Sequence, residues 1–259
     1  MIDKWLSRVS KSFLDAELRK SIETGRGNLK SQYPSDFSES DIRLIETARA
    51  WSMTSPERMY TLIRAIEYIE TNNINGDIVE CGVWRGGSMY IAARKLLELN
   101  SSSRNLFLFD TFEGMSAPTE HDVSNVDNKK AGELLDRFEK EAGDNVWCYS
   151  TDREVRQTME RSGYPSDKVQ LVKGMVENTI PHEAVSSIAL LRLDTDWYES
   201  TKHELEHLYD LLVPGGVLII DDYGHWRGAK KAVDEFISER KLRIFLNRID
   251  YTGRLAIKY

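Results

Sequence analysis

Two runs in this chain are apolar on both faces and stop on aspartates. Ile188-Ala-Leu-Leu-Arg-Leu193 leads into Asp194, with Asp196 two residues further on, and Val217-Leu-Ile-Ile220 leads into Asp221 and Asp222. A strand without polar alternation has both faces covered, and such strands belong to parallel sheets flanked by helices. Ligands of α/β proteins bind at the C-terminal ends of these strands. If the two strands are neighbours, four carboxylates converge on one crevice. Like charges that close repel unless something neutralises them. A hard divalent cation does so, because oxygen ligands suit Mg²⁺, Ca²⁺ and Mn²⁺. The competing reading makes some of these aspartates simple helix caps.

The rest of the chain alternates in the same way. Ser55-Pro56-Glu57 is a helix start, and Met59, Leu62, Ile63, Ile66 and Ile69 follow at helical spacing. Asp77–Glu80, Asn105–Phe109 and Val169–Val172 read as three further strands, and Ser88–Leu99, Arg153–Arg161, Ser200–Leu212 and the segment around Ala229–Ile237 as helices. Val213-Pro-Gly-Gly216 closes the third of these helices. Arg243–Arg248 and Arg254–Tyr259 read as two terminal strands joined by an Asp250-Tyr-Thr-Gly253 turn. This pattern predicts a doubly wound, mostly parallel sheet with helices on both faces and an antiparallel strand at one edge. Residues 114–150 are a polar insertion with one helix at Lys129–Glu141, and long insertions at strand ends are often lids. Residues 1–50 read as a helical and then irregular arm. Its Trp5, Leu6, Phe13, Leu14 and Leu18 have no core of their own to join, so the arm is expected to wrap a neighbour and the protein to be a homo-oligomer. The domain proper is expected over residues 51–259.

Charge and cysteine content narrow the class. The net charge of −7 argues against nucleic acid, which selects basic surfaces. Two cysteines give neither a disulfide framework nor zinc-finger spacing, and a reducing cytoplasm fits them. No apolar run approaches the roughly 20 residues that span a bilayer, and the N-terminus lacks the apolar core of a signal peptide.

Three motifs bear on chemistry. Glu80-Cys-Gly82-Val-Trp-Arg-Gly86-Gly87-Ser88 follows a strand and opens a helix, where glycine lets the backbone approach a ligand and the helix N-terminus favours an anion. Its spacing departs from the dinucleotide signature G-x-G-x-x-G. Asp110 ends the next strand, placed to accept hydrogen bonds from a ribose diol, which favours NAD or S-adenosylmethionine. His203-Glu-Leu-Glu-His207 matches the zinc-protease pattern H-E-x-x-H. However, its histidines face away from the stripe of Leu205, Leu208 and Leu212, toward solvent, and a zinc site needs a supported cavity. Of the other histidines, His225 follows Asp222-Tyr-Gly and is expected near the acidic crevice, His121 sits in the insertion, and His182 reads as a loop residue.

Taken in order, the glycine turn at Glu80–Ser88, Phe109-Asp-Thr-Phe-Glu-Gly-Met115, Gly163-Tyr-Pro165, Val172-Lys-Gly-Met-Val-Glu-Asn-Thr-Ile-Pro181, Leu193-Asp-Thr-Asp-Trp-Tyr-Glu-Ser-Thr201 and Ile220-Asp-Asp-Tyr-Gly224 resemble the macrocin O-methyltransferase family from about residue 55 onward. Its members include sugar O-methyltransferases of antibiotic pathways. The resemblance implies a seven-stranded, Rossmann-like class I methyltransferase, S-adenosylmethionine as donor, Mg²⁺, and a sugar-containing small molecule as acceptor. It implies Asp194, Asp221 and Asp222 as metal ligands and Asp196 as general base. His225, expected beside the crevice, is the rival base. It implies Glu80, Gly82, Ser88 and Asp110 in the donor site, with Gly174 and Met175 near the adenine. The same metal logic serves a catechol-type acceptor. A nicotinamide oxidoreductase is the remote alternative, opposed by the glycine spacing and the aspartates.

Overall fold

The computed structural model describes residues 29–143 and 145–259. The apolar residues from Trp5 to Leu18 lie outside them. Seven strands form one sheet: β1 (Asp77–Cys81), β2 (Leu106–Asp110), β3 (Val169–Lys173), β4 (Ile188–Leu193), β5 (Leu212–Ile220), β6 (Asn247–Arg248) and β7 (Arg254–Ile257), in the order β3-β2-β1-β4-β5-β7-β6. The first five are parallel, and β7 runs antiparallel to both β5 and β6. The chain builds outward from β1 to β3, then returns to lay β4 on the other side of β1. That reversal opens a crevice at the C-terminal ends of β1 and β4.

One face is covered by α1 (Glu39–Ala48), α2 (Pro56–Thr71), α3 (Gly87–Glu98) and α5 (Asp152–Ser162), and the other by α6 (Val176–Thr179), α7 (Tyr198–Leu208) and α8 (Arg227–Glu239). A short α4 (Ala131–Leu135) lies in the insertion. Strand alternation sends Ile78, Leu106, Leu108 and Leu190 into the first core and Val79, Cys81, Phe107, Phe109, Leu191 and Leu193 into the second. Both faces are therefore dry, which is why β4 and β5 need no polar alternation. Helix starts follow local chemistry. Ser55 Oγ accepts from the Arg58 N–H at 3.2 Å with Pro56 in the first turn, and Thr151 and Glu154 form a reciprocal capping box.

The structure departs from the sequence expectation in four places. Residues 39–48, in the arm expected over residues 1–50 to lack a core of its own, form α1, whose Ile42, Ile45 and Ala48 are buried in the first core. The helix expected at Lys129–Glu141 shrinks to Ala131–Leu135. The Trp147 indole N–H donates to Leu135 O at 3.1 Å and Phe138 O at 3.0 Å, and Asn145 Nδ2 donates to Glu139 O at 3.0 Å. Leu135 O and Glu139 O also close tight turns, accepting from the Phe138 N–H at 3.2 Å and the Ala142 N–H at 3.1 Å in place of the helical ladder. Val213-Pro-Gly-Gly216 does not end a helix but lies within β5, at a register shift against β4. The penultimate strand is confined to Asn247–Arg248.

Candidate active site

The crevice is a cleft of about 940 Å³ whose walls include Gly82, Ser88, Asp110, Gly174, Met175, Asp194, Asp196, Asp221, Asp222 and His225. Ten of the eleven residues singled out from the sequence therefore share one cavity. Glu80 is the exception. It is fully buried opposite Arg192 in the strand register, and its Oε1 accepts from Arg192 Nη1 at 2.6 Å. Its Oε2 has no hydrogen-bond partner, and burial pushes its carboxyl up to about 8. Arg192 thus ties Glu80 to Asp194 and Asp221 of the crevice.

The aspartates meet because β4 and β5 are adjacent. The Asp194 N–H donates to Cys81 O at 2.8 Å and the Asp221 N–H to Leu193 O at 2.9 Å, so both continue the ladder past the strand ends. Asp194, Asp221 and Asp222 each offer a carboxylate oxygen, all within 4.8 Å of one another. Asp196 reaches the cluster through a bend in its own backbone. The strand does not continue through it to place it on the same face as Asp194. Its backbone turns left-handed, φ 69°, and its carboxyl lies against that of Asp222. Burial pushes Asp196 up to about 7 and raises Asp222 well above the usual carboxylate range. Asp222 Oδ2 is buried without a hydrogen-bond partner. An all-oxygen donor set with an orphaned, buried carboxylate oxygen fits a hard divalent cation.

Two arginines that sequence reasoning missed hold this cluster. Arg192, 3% exposed, donates to Asp194 Oδ2 at 2.7 Å and to Asp221 Oδ1 at 2.6 Å. Arg58, from the first turn of α2, pairs with Asp221 Oδ2 and, through Nε at 3.0 Å, with Asp250 Oδ2. Arg192 had a visible signal, a charge inside an otherwise apolar strand. Arg58 had none. The Asp250–Gly253 turn, expected only to join two strands, also closes onto the site. Thr252 Oγ1 donates to Asp221 O at 2.8 Å, and a side chain at Gly224 would collide with the Tyr251 carbonyl.

On the donor side, Asp110 organises the glycine turn. Its Oδ2 accepts the N–H groups of Val83 at 2.7 Å and Trp84 at 3.0 Å, and its Oδ1 that of Phe112 at 2.7 Å. Gly82 has φ +82° and stands so close to the Asp194 carbonyl that no Cβ fits between them. Gly82 therefore couples the turn after β1 to the strand that carries the aspartates. Ser88 is in the first turn of α3, and Gly174, at φ +143°, follows β3.

The histidines separate clearly. His225 lines the cleft; its Nδ1 is 3.3 Å from the Tyr251 hydroxyl, and burial lowers its pKa. His121 packs edge-on against Tyr198, with its Nε2 3.0 Å from Lys231 Nζ, away from the cleft wall. His203 and His207 are half-buried rather than turned to solvent. Their rings stack at 4.1 Å, and each bonds a carbonyl, of Ile180 and His203 respectively, at 2.8 Å. Among the described residues Asp194, Asp221 and Asp222 form the one cluster of three metal-ligating groups, and His203 and His207 are not in it.

A sheet with this strand order, a glycine turn after β1 and an acid at the end of β2 is the frame of a class I methyltransferase. The solved structure of the O-methyltransferase NovP superposes with a TM-score of 0.70 at 28% identity, covering 80% of this chain and 82% of that one. A model of the macrocin-O-methyltransferase (TylF) family matches residues 22–256, and the chain belongs to that family. It is 32% identical over 204 residues to the 8-demethyl-8-(2,3-dimethoxy-alpha-L-rhamnosyl)-tetracenomycin-C 4'-O-methyltransferase of Streptomyces olivaceus, covering 79% of this chain and 74% of that one. It is 31% identical over 206 residues to the demethyldecarbamoylnovobiocin O-methyltransferase of Streptomyces niveus, covering 80% and 75%. The protein is an S-adenosylmethionine-dependent O-methyltransferase.

Proposed function

We propose that this enzyme methylates a hydroxyl of a sugar or glycosylated small molecule and that turnover requires Mg²⁺. The sugar reading draws on a relative whose name specifies a rhamnosyl 4'-hydroxyl. The metal reading is carried by one observation: three carboxylates within 4.8 Å of one another beside the glycine turn. Glu80, Gly82, Ser88 and Asp110 form the donor side, with Gly174 and Met175 near the adenine, and Arg192 ties Glu80 to Asp194 and Asp221. Asp194, Asp221 and Asp222 would hold the ion. When bound, the ion orients the acceptor oxygens and lowers the pKa of the reacting hydroxyl. Asp196 takes the proton of that hydroxyl as the methyl C–S bond breaks and the C–O bond forms, leaving S-adenosylhomocysteine. The cleft wall aligns acceptor and donor, which alone supplies several kcal/mol of such a barrier reduction.

Calorimetry in chelator should still show S-adenosylmethionine binding, because the donor wall belongs to β1, β2 and β3 and not to the aspartate cluster. Conversion of donor to S-adenosylhomocysteine with a rhamnoside acceptor should stop in chelator and return with Mg²⁺. Full turnover in chelated buffer refutes the metal reading. The proposal extends to a homo-oligomer in a reducing cytoplasm, supported by apolar Trp5, Leu6, Phe13 and Leu14 and by the two free thiols. A light-scattering mass of 29.8 kDa would refute the assembly.

A further inference from the structure

Arg58 occupies the carboxylate cluster as a cation, although it is neither a metal ligand nor a base. It pairs with Asp221 Oδ2, while Asp221 Oδ1 accepts from Arg192 Nη2 at 2.6 Å. Both oxygens of one clustered carboxylate are therefore engaged by guanidinium groups. The two arginines differ in how they are held. Arg192 is enclosed, 3% exposed, and shared among Glu80, Asp194 and Asp221. Arg58 stands in the cleft wall and already bonds a second carboxylate, Asp250, at 3.0 Å. Asp250 is itself fixed. Its Oδ1 accepts the N–H groups of Thr252 at 2.9 Å and Gly253 at 2.7 Å, and its Oδ2 accepts from Ser55 Oγ at 2.7 Å.

We propose that Arg58 is a resident counter-cation of the aspartate cluster, displaced from Asp221 onto Asp250 when a divalent ion binds. This rests on the metal reading above. Two cations at one carboxylate oxygen repel each other strongly in a poorly solvated crevice. A guanidinium that leaves a buried partner needs another, because an unpaired buried charge is costly. Asp250 is that partner, so Arg58 can yield Asp221 while Arg192 stays in place. Before the ion arrives Arg58 offsets the mutual repulsion of the carboxylates; afterwards it sets how tightly the ion is held.

The test is Mn²⁺ binding to the full chain, read from loss of the free-ion signal in electron paramagnetic resonance, with melting curves to verify folding. Arg58→Met should tighten Mn²⁺ binding by about tenfold or more, as removal of a competing unit charge requires. Asp250→Asn, which keeps the Oδ1 acceptor of the turn, should weaken Mn²⁺ binding in the native background and leave it nearly unchanged beside Arg58→Met. An Arg58→Met protein that binds Mn²⁺ no more tightly overturns the exchange. So does an Asp250→Asn effect of equal size in both backgrounds, which would mark Arg58 as a fixed charge. Native protein that binds no Mn²⁺ removes the metal reading and the exchange together, whereas native binding with no gain in Arg58→Met removes the exchange alone. If Arg58→Met fails to fold, Arg58→Gln removes the same charge and decides the same question.

Discussion

Asp196 is the residue on which the proposed chemistry turns. Its left-handed backbone bends it out of the line of β4 and against Asp222, and burial pushes its carboxyl up to about 7. A carboxyl poised near neutrality accepts a proton more effectively than a solvated one. Burial lowers the pKa of His225, and its Nδ1 lies 3.3 Å from the Tyr251 hydroxyl. Asp196→Asn should lower turnover by about 10²–10⁴-fold while leaving S-adenosylmethionine affinity unchanged, and His225→Ala should cost less. Steady-state kinetics at saturating Mg²⁺ and donor decide the matter: near-normal Asp196→Asn beside an inactive His225→Ala would reverse the roles. At this scale the aspartates, Gly82 and Asp110 were readable because each stands at the end of a recognisable strand. Arg58 and Tyr251 were not, because their partners Asp221 and His225 lie on other elements, and nothing local marks them.

Elements were legible where periodicity and burial agree. The runs that became β1, β2, β4 and α2 are apolar where the fold needs them buried, and Ser55-Pro56 marks a start that the Ser55 Oγ cap makes good. Elements were misread where a side chain outside the run competes for the backbone. The insertion loses most of its expected helix to Trp147 and Asn145, which take the carbonyls of Leu135, Phe138 and Glu139. The insertion is also tied down. Asp122 is fully buried and accepts N–H groups from Thr119 at 2.6 Å and Tyr198 at 2.8 Å, joining it to the start of α7. The length and strand-end position of this segment gave the lid expectation, and the partners of Asp122 and Trp147 were invisible in the sequence. Likewise α1 looked like part of a loose arm because its few apolar residues count only against the α2 and α3 surface they cover.

The whole molecule carries an unusual load of buried acid. Burial pushes Glu80 up to about 8 and Asp196 up to about 7, and raises Asp222 and Glu204 well above the carboxylate range. The folded state therefore keeps protons that the unfolded chain releases near pH 4. The stability these groups contribute is complete below the unfolded values and is lost as pH rises through the folded ones. His225, with its lowered pKa, acts in the opposite sense but only below its ordinary value. In chelator the melting temperature should thus fall between about pH 7 and pH 9, and Mg²⁺ should recover part of the loss through the clustered aspartates. A melting temperature that rises over that interval in chelator would contradict the burial of these acids. By itself the sequence determined the parallel sheet, the place of the crevice and the acids at its rim, because strand patterning and strand-end chemistry are local properties of the chain. The tertiary structure alone decided that Glu80 pairs with Arg192, that Asp196 turns onto Asp222, and that Arg58 and Arg192 neutralise Asp221. Those relations are distances between charges on elements far apart in sequence, and only packing sets them.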